Sequence, residues 1–321
     1  MKNIRWGIIG CGDVTEVKSG PGFQKAEGSE LVAVMRRNGE LARDYARRHN
    51  VPTWYDRAEE LLHNPDIDAV YIATPPSTHK DYTLAAAKAG KAVLVEKPMG
   101  LNFAECEAMI AACEVSRIPL FTAFYRRALP RFLKVKSLID QGTIGEIRSV
   151  TMRLYHPPKE DELRGIQQWR VNPAISGGGH FFDLAPHMID LLHYFLGPIE
   201  TVSGKAVRLA NLYEAEDTVA ALFSFTSDVQ GTALWTFVAG EQIDQTEIIG
   251  SGGSIRYPTF LESPIVLRMG DTVEEFIIPH PPHVHQPLIQ TVVDELLGRG
   301  KSPSTGATGA RVSWVMDEIV R

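Results

Sequence analysis

The sequence is poor in the features that mark secreted, membrane or nucleic-acid-binding chains. Cysteine occurs three times in 321 residues, at Cys11, Cys106 and Cys113, with no C-x-x-C. An odd count without paired spacing argues against a disulfide framework or a thiolate zinc site and fits a reducing cytoplasm. Cys106 and Cys113 are seven apart, as expected of small buried residues on one helix face. No apolar run approaches the roughly 20 residues of a membrane span. The basic residues at the N-terminus lead into a strand and a glycine turn, which is not the pattern of a signal peptide. There is no long run of one charge sign, and the net charge of −6 argues against nucleic acid or an anionic membrane as partner. Internal repeats and low-complexity tracts are also missing. The one histidine cluster, His280-Pro-Pro-His283-Val-His285, has the prolines of a loop and no adjacent cysteine or acid. No metal is expected there.

What is present is an ordinary globular composition, 44% apolar and 22% charged, at a length that suggests two domains. The chain is organised around Lys91-Ala-Val-Leu-Val-Glu96-Lys97-Pro98. Val93, Leu94 and Val95 suit a strand buried on both sides of a parallel sheet. The charged pair and proline after them belong at an open strand end, where ligands bind in such sheets.

The preceding chain supports this. Ile4–Ile9 reads as a first strand running into Gly10-Cys11-Gly12-Asp13-Val14-Thr15 and then a helix, which points to dinucleotide binding at Gly10, Gly12, Asp13 and Val14. Thr15 stands where the fingerprint has a third glycine, and Gly20-Pro21-Gly22 is expected to interrupt the helix. The second strand, Glu30–Met35, ends in Arg36-Arg37-Asn38 rather than an acid. Arginine there pairs with a 2′-phosphate, so NADP is favoured over NAD. A helix follows with Asp56 as its N-cap. After a fourth strand, Thr74-Pro75-Pro76-Ser77-Thr78-His79 forms a stiff loop over the nucleotide, Ser77 or Thr78 capping the next helix. Thr74, Pro75 and His79 are cofactor candidates, as are Glu96 and Lys97, with Glu96 pointing the other way along its strand. Residues 1–124 thus alternate strand and helix, which predicts a doubly wound parallel sheet.

Past 125 the rhythm changes. Helices are expected at Pro130–Gln141, Asp183–Leu196 and Leu288–Leu297, a charged, proline-bearing loop over His156–Ser176, and alternating strands after 199. Residues 125–305 read as an α+β domain with a large, mostly antiparallel open sheet. Its uncovered face suits burial against another subunit. A helix near 306–320 is a candidate to pack back on the first domain.

Four marks in order, Gly10-x-Gly12, Glu96-Lys97-Pro98, Trp169-Arg170 and Gly177-Gly178-Gly179-x-x-x-Asp183-x-x-x-His187, make the chain resemble the glucose-fructose oxidoreductase/inositol dehydrogenase/rhizopine-catabolism (Gfo/Idh/MocA) family over essentially its whole length. The resemblance implies an N-terminal Rossmann domain for NAD or NADP and a C-terminal sheet domain that shapes the substrate pocket and joins subunits into a homodimer or homotetramer. It implies hydride transfer to or from a hydroxyl or carbonyl carbon of a sugar, polyol or related small molecule. The Trp169-Arg170 pair resembles the NADP-dependent anhydrofructose reductase branch, which implies that both lie against the cofactor. Pro186, beside the motif histidine, is expected in the first helical turn.

Hydride transfer needs a group to steady the alkoxide and a group to move the proton. Lys97 and His187 are the proton-handling candidates. Asp183, four residues before His187 and on the same helix face, supports them or binds a substrate hydroxyl. Tyr125 is a further pocket candidate. The competing readings are an NAD-assisted glycosidase of the same family and a non-catalytic nucleotide sensor, which retention of both Lys97 and His187 disfavours.

Overall fold

The computed structural model describes residues 3–321. The chain divides into two compact units: residues up to Leu129 with Pro281–Arg311, and Pro130–His280 with Val312–Arg321.

The first unit runs β1 (Ile4–Ile9), α1 (Asp13–Val17), α2 (Gly20–Lys25), β2 (Ser29–Met35), α3 (Gly39–Arg48), β3 (Thr53–Tyr55), α4 (Ala58–His63), β4 (Ala69–Ile72), α5 (His79–Lys88), β5 (Ala92–Val95), α6 (Phe103–Val115) and β6 (Leu120–Thr122). The strands pair in the order β3-β2-β1-β4-β5-β6, every neighbouring pair parallel. The winding reverses between β1 and β4, which opens a crevice at their carboxyl ends. Both β4 and β5 are buried along their whole length, which is why their sequences show no polar alternation. Trp6, Ile8, Phe23 and Tyr71 pack on one side of the sheet with Ile289, Val292 and Val293. Ile9, Ile72, Val93, Val95, Cys106 and Met109 fill the other with Ala310.

Local details differ from expectation. Gly20-Pro21-Gly22 does not merely interrupt a helix. It begins α2, because proline is tolerated in a first turn, where its missing N–H has no partner to lose. Asp56 does not cap α4; Arg57 occupies the N-cap and makes no side-chain bond there. Thr78 sits at the N-cap of α5, but its hydroxyl donates instead to Thr74 Oγ1 (2.8 Å) and the Pro75 carbonyl (3.0 Å).

The second unit runs α7 (Pro130–Asp140), β7 (Ile147–Tyr155), α8 (Glu160–Leu163), α9 (Pro173–Ser176), α10 (His180–Leu196), β8 (Ile199–Val207), β9 (Thr218–Phe225), β10 (Gln230–Thr236), β11 (Ile243–Gly250), β12 (Ser254–Tyr257), β13 (Ile265–Met269) and β14 (Thr272–Phe276). Then follow α11 (Gln286–Leu296) in the first unit and α12 (Gly306–Val320), whose residues to Arg311 belong to the first unit and the rest to the second. Gly309 sits where a Cβ would lie 2.2 Å from Thr122 Oγ1, so only glycine lets the start of α12 approach β6 so closely.

The eight-stranded sheet has the order β14-β13-β12-β11-β7-β10-β9-β8. It is antiparallel except where β7 and β10 pair parallel. Val219, Ala221, Phe223 and Phe225 alternate inward. Phe181 of α10 packs edge-on against Trp235 at 5.1 Å, and Trp235 Nε1 donates to Met188 Sδ at 3.4 Å. Leu222, at 60% exposed, lies on the uncovered face. The strand β12 was not legible, since its four residues are too few to show a period.

The segment expected as loop, 156–176, carries α8, a 3₁₀ turn at Trp169–Val171 and α9. α10 begins at His180, not Asp183, with Gly179 as its N-cap. Pro186 is therefore inside the helix rather than in its first turn. Its ring removes the bond that its N–H would have made to the Phe182 carbonyl.

Candidate active site

At the end of β1 the chain turns at Gly10, whose φ of +95° is a conformation that side chains disfavour. A Cβ there would also lie 2.7 Å from Thr74 Cγ2. The amides of Gly10 and Cys11 donate to the Met35 carbonyl at 2.8 and 3.1 Å, which ties the turn to the end of β2. Gly12 is the N-cap of α1, and an added Cβ would meet only the Gly10 carbonyl, at 3.9 Å. The turn therefore leaves a cradle ahead of Asp13 and Val14, the first residues of α1. Thr15 takes the third-glycine position without opening the turn. It is buried, its hydroxyl donates to the Gly12 carbonyl at 2.7 Å, and its own carbonyl accepts from Tyr45 Oη at 2.8 Å. Arg36 and Arg37 are exposed at the end of β2, with Arg36 Nη1 3.5 Å from the Cys11 carbonyl. These residues fit a dinucleotide, with glycines for the pyrophosphate and two guanidinium groups beyond the second strand.

Across the switch point, Thr74 and Pro75 follow β4. His79 is fully buried, with Nε2 2.7 Å from the Thr74 carbonyl and Nδ1 2.9 Å from the Pro98 carbonyl. Both ring nitrogens thus face main chain, and the ring joins the loop after β4 to the loop after β5. Burial pushes its pKa down, against the pull of those carbonyls.

In the stretch from Ala92 to Gly100, Lys97 alone is not buried. The Lys97–Pro98 peptide is cis. Glu96 points inward, accepting the hydroxyl of Tyr71 on one oxygen and the Lys97 amide on the other, the latter at 3.1 Å. Burial raises its pKa above the usual carboxylate range, opposed by Lys97, Tyr71 and the Lys97 amide. Tyr125 is buried past β6, stacked on His285 and hydrogen-bonded to Arg126. Arg127 donates to the Pro303 carbonyl at 2.8 Å. Of the histidine cluster, His283 bonds the Val17 carbonyl and His285 is buried. Among the described residues no group of three or more His, Cys, Asp or Glu side chains could hold a metal ion.

In the second unit, Asp183 and His187 stand one turn apart on α10. His187 is buried, edge-on to Phe260 at 6.0 Å. Arg170 Nε lies 3.3 Å from Asp183 Oδ2, and its guanidinium covers the Trp169 ring at 4.5 Å. The structure thus brings together Arg170, Trp169 and Asp183, and separately Gly10, Thr74, His79, Glu96 and Lys97. Lys97 and Tyr125 lie in the first unit, Asp183 and His187 in the second.

Three polar residues beside these had escaped sequence reasoning. Glu162 and His180 form a buried pair at 2.5 Å, and burial lowers the His180 pKa in spite of Glu162. Glu216 accepts the Gly179 amide at 2.7 Å, while burial pushes its pKa up to about 7. His180 directly follows the glycine triplet, so its place was open to notice; the partners on distant segments were not.

A parallel sheet in this strand order, with a glycine turn at its switch point and an unburied lysine after β5, is the architecture of a dinucleotide-binding domain. Comparison with known proteins agrees. Residues 4–124 match the oxidoreductase family with its NAD-binding Rossmann fold, and residues 132–256 match the GFO/IDH/MocA C-terminal domain. An oxidoreductase of Formosa agariphila is 41% identical over 98% of this chain and 97% of its own. The 1,5-anhydro-D-fructose reductase of Ensifer adhaerens is 27% identical, covering 95% of this chain and 92% of that one. In fold, the chain is similar to levoglucosan dehydrogenase in complex with NADH and levoglucosan (TM-score 0.88, 24% identity, covering 99% of this chain and 96% of that one). It is similarly close to a 3-ketoreductase of Actinomadura kijaniata in complex with NADP (TM-score 0.85, 23% identity, covering 99% and 97%). The chain belongs to the GFO/IDH/MocA oxidoreductase family. It is an NAD(P)-dependent dehydrogenase or reductase. Among the described residues no helix is long and apolar enough to cross a membrane.

Proposed function

We propose that the enzyme interconverts a hydroxyl and a carbonyl on a sugar or polyol, with NADP(H) as the preferred cofactor and NAD(H) as the alternative. The observation that carries this reading is Lys97, the one unburied residue of a buried strand end, on the carboxyl side of the same sheet as the glycine turn and two strands along from it. The substrate class rests on the sugar-handling names of the relatives, and the cofactor preference on Arg36 and Arg37.

The bound nicotinamide supplies or accepts the hydride. Gly10, Gly12, Asp13 and Val14 take the pyrophosphate, while Thr74, Pro75 and the loop joined by His79 line the same crevice, with Glu96 beneath it. Trp169 and Arg170 lie against the cofactor. The Lys97 ammonium donates to the reacting oxygen and steadies negative charge there as it develops. His187 takes or returns the proton, with Asp183 orienting it or holding a neighbouring hydroxyl, and Tyr125 lines the substrate side. In this reading residues 1–124 bind nucleotide and 125–305 bind substrate. The open face of the β8–β14 sheet joins subunits into a dimer or tetramer, and the enzyme works in the cytoplasm.

The test is a panel of sugars, polyols and keto-sugars offered with NADP(H) and with NAD(H), following the absorbance of reduced nicotinamide. Turnover with at least one member, faster with NADP(H), is expected. No turnover of either cofactor across the panel would overturn the substrate class. Cleavage of a glycoside with no net change in cofactor would replace it with the glycosidase reading.

A further inference from the structure

The segment that returns to the first unit after His280 brings one side chain to the back of the Lys97 strand end. His285 is 3% exposed at the N-cap of α11. Its Nδ1 lies 3.6 Å from Glu96 Oε1, and its ring stacks on Tyr125 at 4.3 Å with planes 25° apart. We propose that His285 is a positioning residue for the reaction, setting the Glu96–Lys97 strand end and the Tyr125 ring in register with each other. The proposal rests on the roles given above to Lys97 and Tyr125.

The separation from Glu96 is too long for a hydrogen bond. Nor is the pair an ion pair near neutral pH. Burial, with Lys18, Arg126 and Lys97 repelling the proton, pushes the His285 pKa down to about 3. His285 therefore acts as a neutral wedge, with an aromatic face on Tyr125 and a polar edge toward a carboxylate. Two hydrogen bonds also hold Glu96, one from the Tyr71 hydroxyl of β4 and one from the Lys97 amide. Since Glu96 holds the amide of Lys97 itself, any shift of that carboxylate moves the lysine's own backbone.

A wedge must be anchored to be useful, and this one is. Two residues earlier, His283 bonds the Val17 carbonyl at 2.8 Å and Lys25 Nζ at 2.7 Å. The Ile289 amide donates to the His285 carbonyl at 3.0 Å, beginning α11. Gly22 leaves room for Gln286, whose Cα would be 3.3 Å from any Cβ placed there. The segment is thereby held to α1 and α2 on one side and to the ends of β5 and β6 on the other.

Two variants separate the two contacts. His285→Asn keeps polarity toward Glu96 and loses the ring; His285→Phe keeps the ring and loses the nitrogens. With NADP and a substrate from the panel, His285→Asn is expected to raise KM and to lower kcat about tenfold or more, since small misplacements of reacting groups carry costs of that order. His285→Phe is expected to restore KM and leave kcat low. Both should bind NADPH with the parent affinity. Acylation of Lys97, followed by peptide mass spectrometry, should change rate in both variants while that of the surface residue Lys88 does not. Parent kcat and KM in both variants, parallel loss of kcat and KM in both, or an unchanged Lys97 acylation rate would overturn the proposal. Full turnover by Lys97→Ala would instead refute the catalytic reading and leave the labelling result to stand on its own.

Discussion

Arg170 Nε lies 3.3 Å from Asp183 Oδ2, and the same guanidinium covers the Trp169 ring. By motif these residues have separate duties, arginine toward cofactor and aspartate toward chemistry. The ion pair makes them one unit. Both side chains are partly exposed, so the pair is a weak contributor to stability, and its effect should show in function. Arg170→Ala and Asp183→Asn are each expected to lower kcat/KM. The double variant should lose less than the product of the two, with a coupling of about 1 kcal/mol as for groups in contact. Strictly multiplicative losses in a double-mutant cycle would show that the pair is incidental.

Lys97 is the first residue to change. Lys97→Ala is expected to lower kcat by about 10²- to 10⁴-fold, the usual contribution of a positioned proton-transfer group. NADPH affinity, read by fluorescence, should stay within a few-fold, because the pyrophosphate site proposed at Gly10 and Gly12 is on another strand end. A large loss of cofactor affinity with kcat intact would move Lys97 from chemistry to binding.

The proposed preference for NADP rests on the exposed pair at the end of β2. Arg36→Asp exchanges a 2′-phosphate partner for one suited to a ribose hydroxyl. The KM for NADP should rise about tenfold or more while that for NAD falls or holds. If both KM values are unchanged, the arginines are solvated bystanders.

Glu216 gives a prediction in pH. Burial raises its pKa to about 7, from 4.5 when free, even though the Gly179 amide favours the ionised form. A carboxyl with a raised folded-state pKa contributes stability fully below its unfolded pKa, and that contribution fades as pH climbs through the folded value. The parent should therefore lose stability between about pH 4.5 and 7 by way of this group. Glu216→Gln keeps an acceptor for Gly179 and removes the titration. Its Tm should vary less with pH over that window than the parent's, and identical slopes would exclude Glu216 as a buried titrating group.

Much of the nucleotide half was legible because its signals are local. Gly10, at φ +95°, is needed where a strand must turn sharply in front of a helix, and the runs in β4 and β5 are apolar on every residue because both faces of a parallel sheet are covered. The glycine triplet 177–179 announced a helix, but with its start expected at Asp183, whereas α10 begins at His180. Pro186, expected in the first turn on that start, lies inside the helix among buried neighbours.

By itself, then, the sequence determined the strand and helix rhythm of the first 124 residues, the turn that suits a dinucleotide and the candidate Lys97, all carried by neighbours within a few positions, while Asp183 and His187 became candidates through the motif shared with the family. Tertiary structure alone decided that Arg170 meets Asp183, that Glu162 meets His180, and that His285 wedges between Glu96 and Tyr125. Those contacts join residues 13 to 189 positions apart. Spacing along a chain has no bearing on such encounters; which polar groups are buried together follows from how the sheets and helices pack, and each buried group then needs the partner that packing provides.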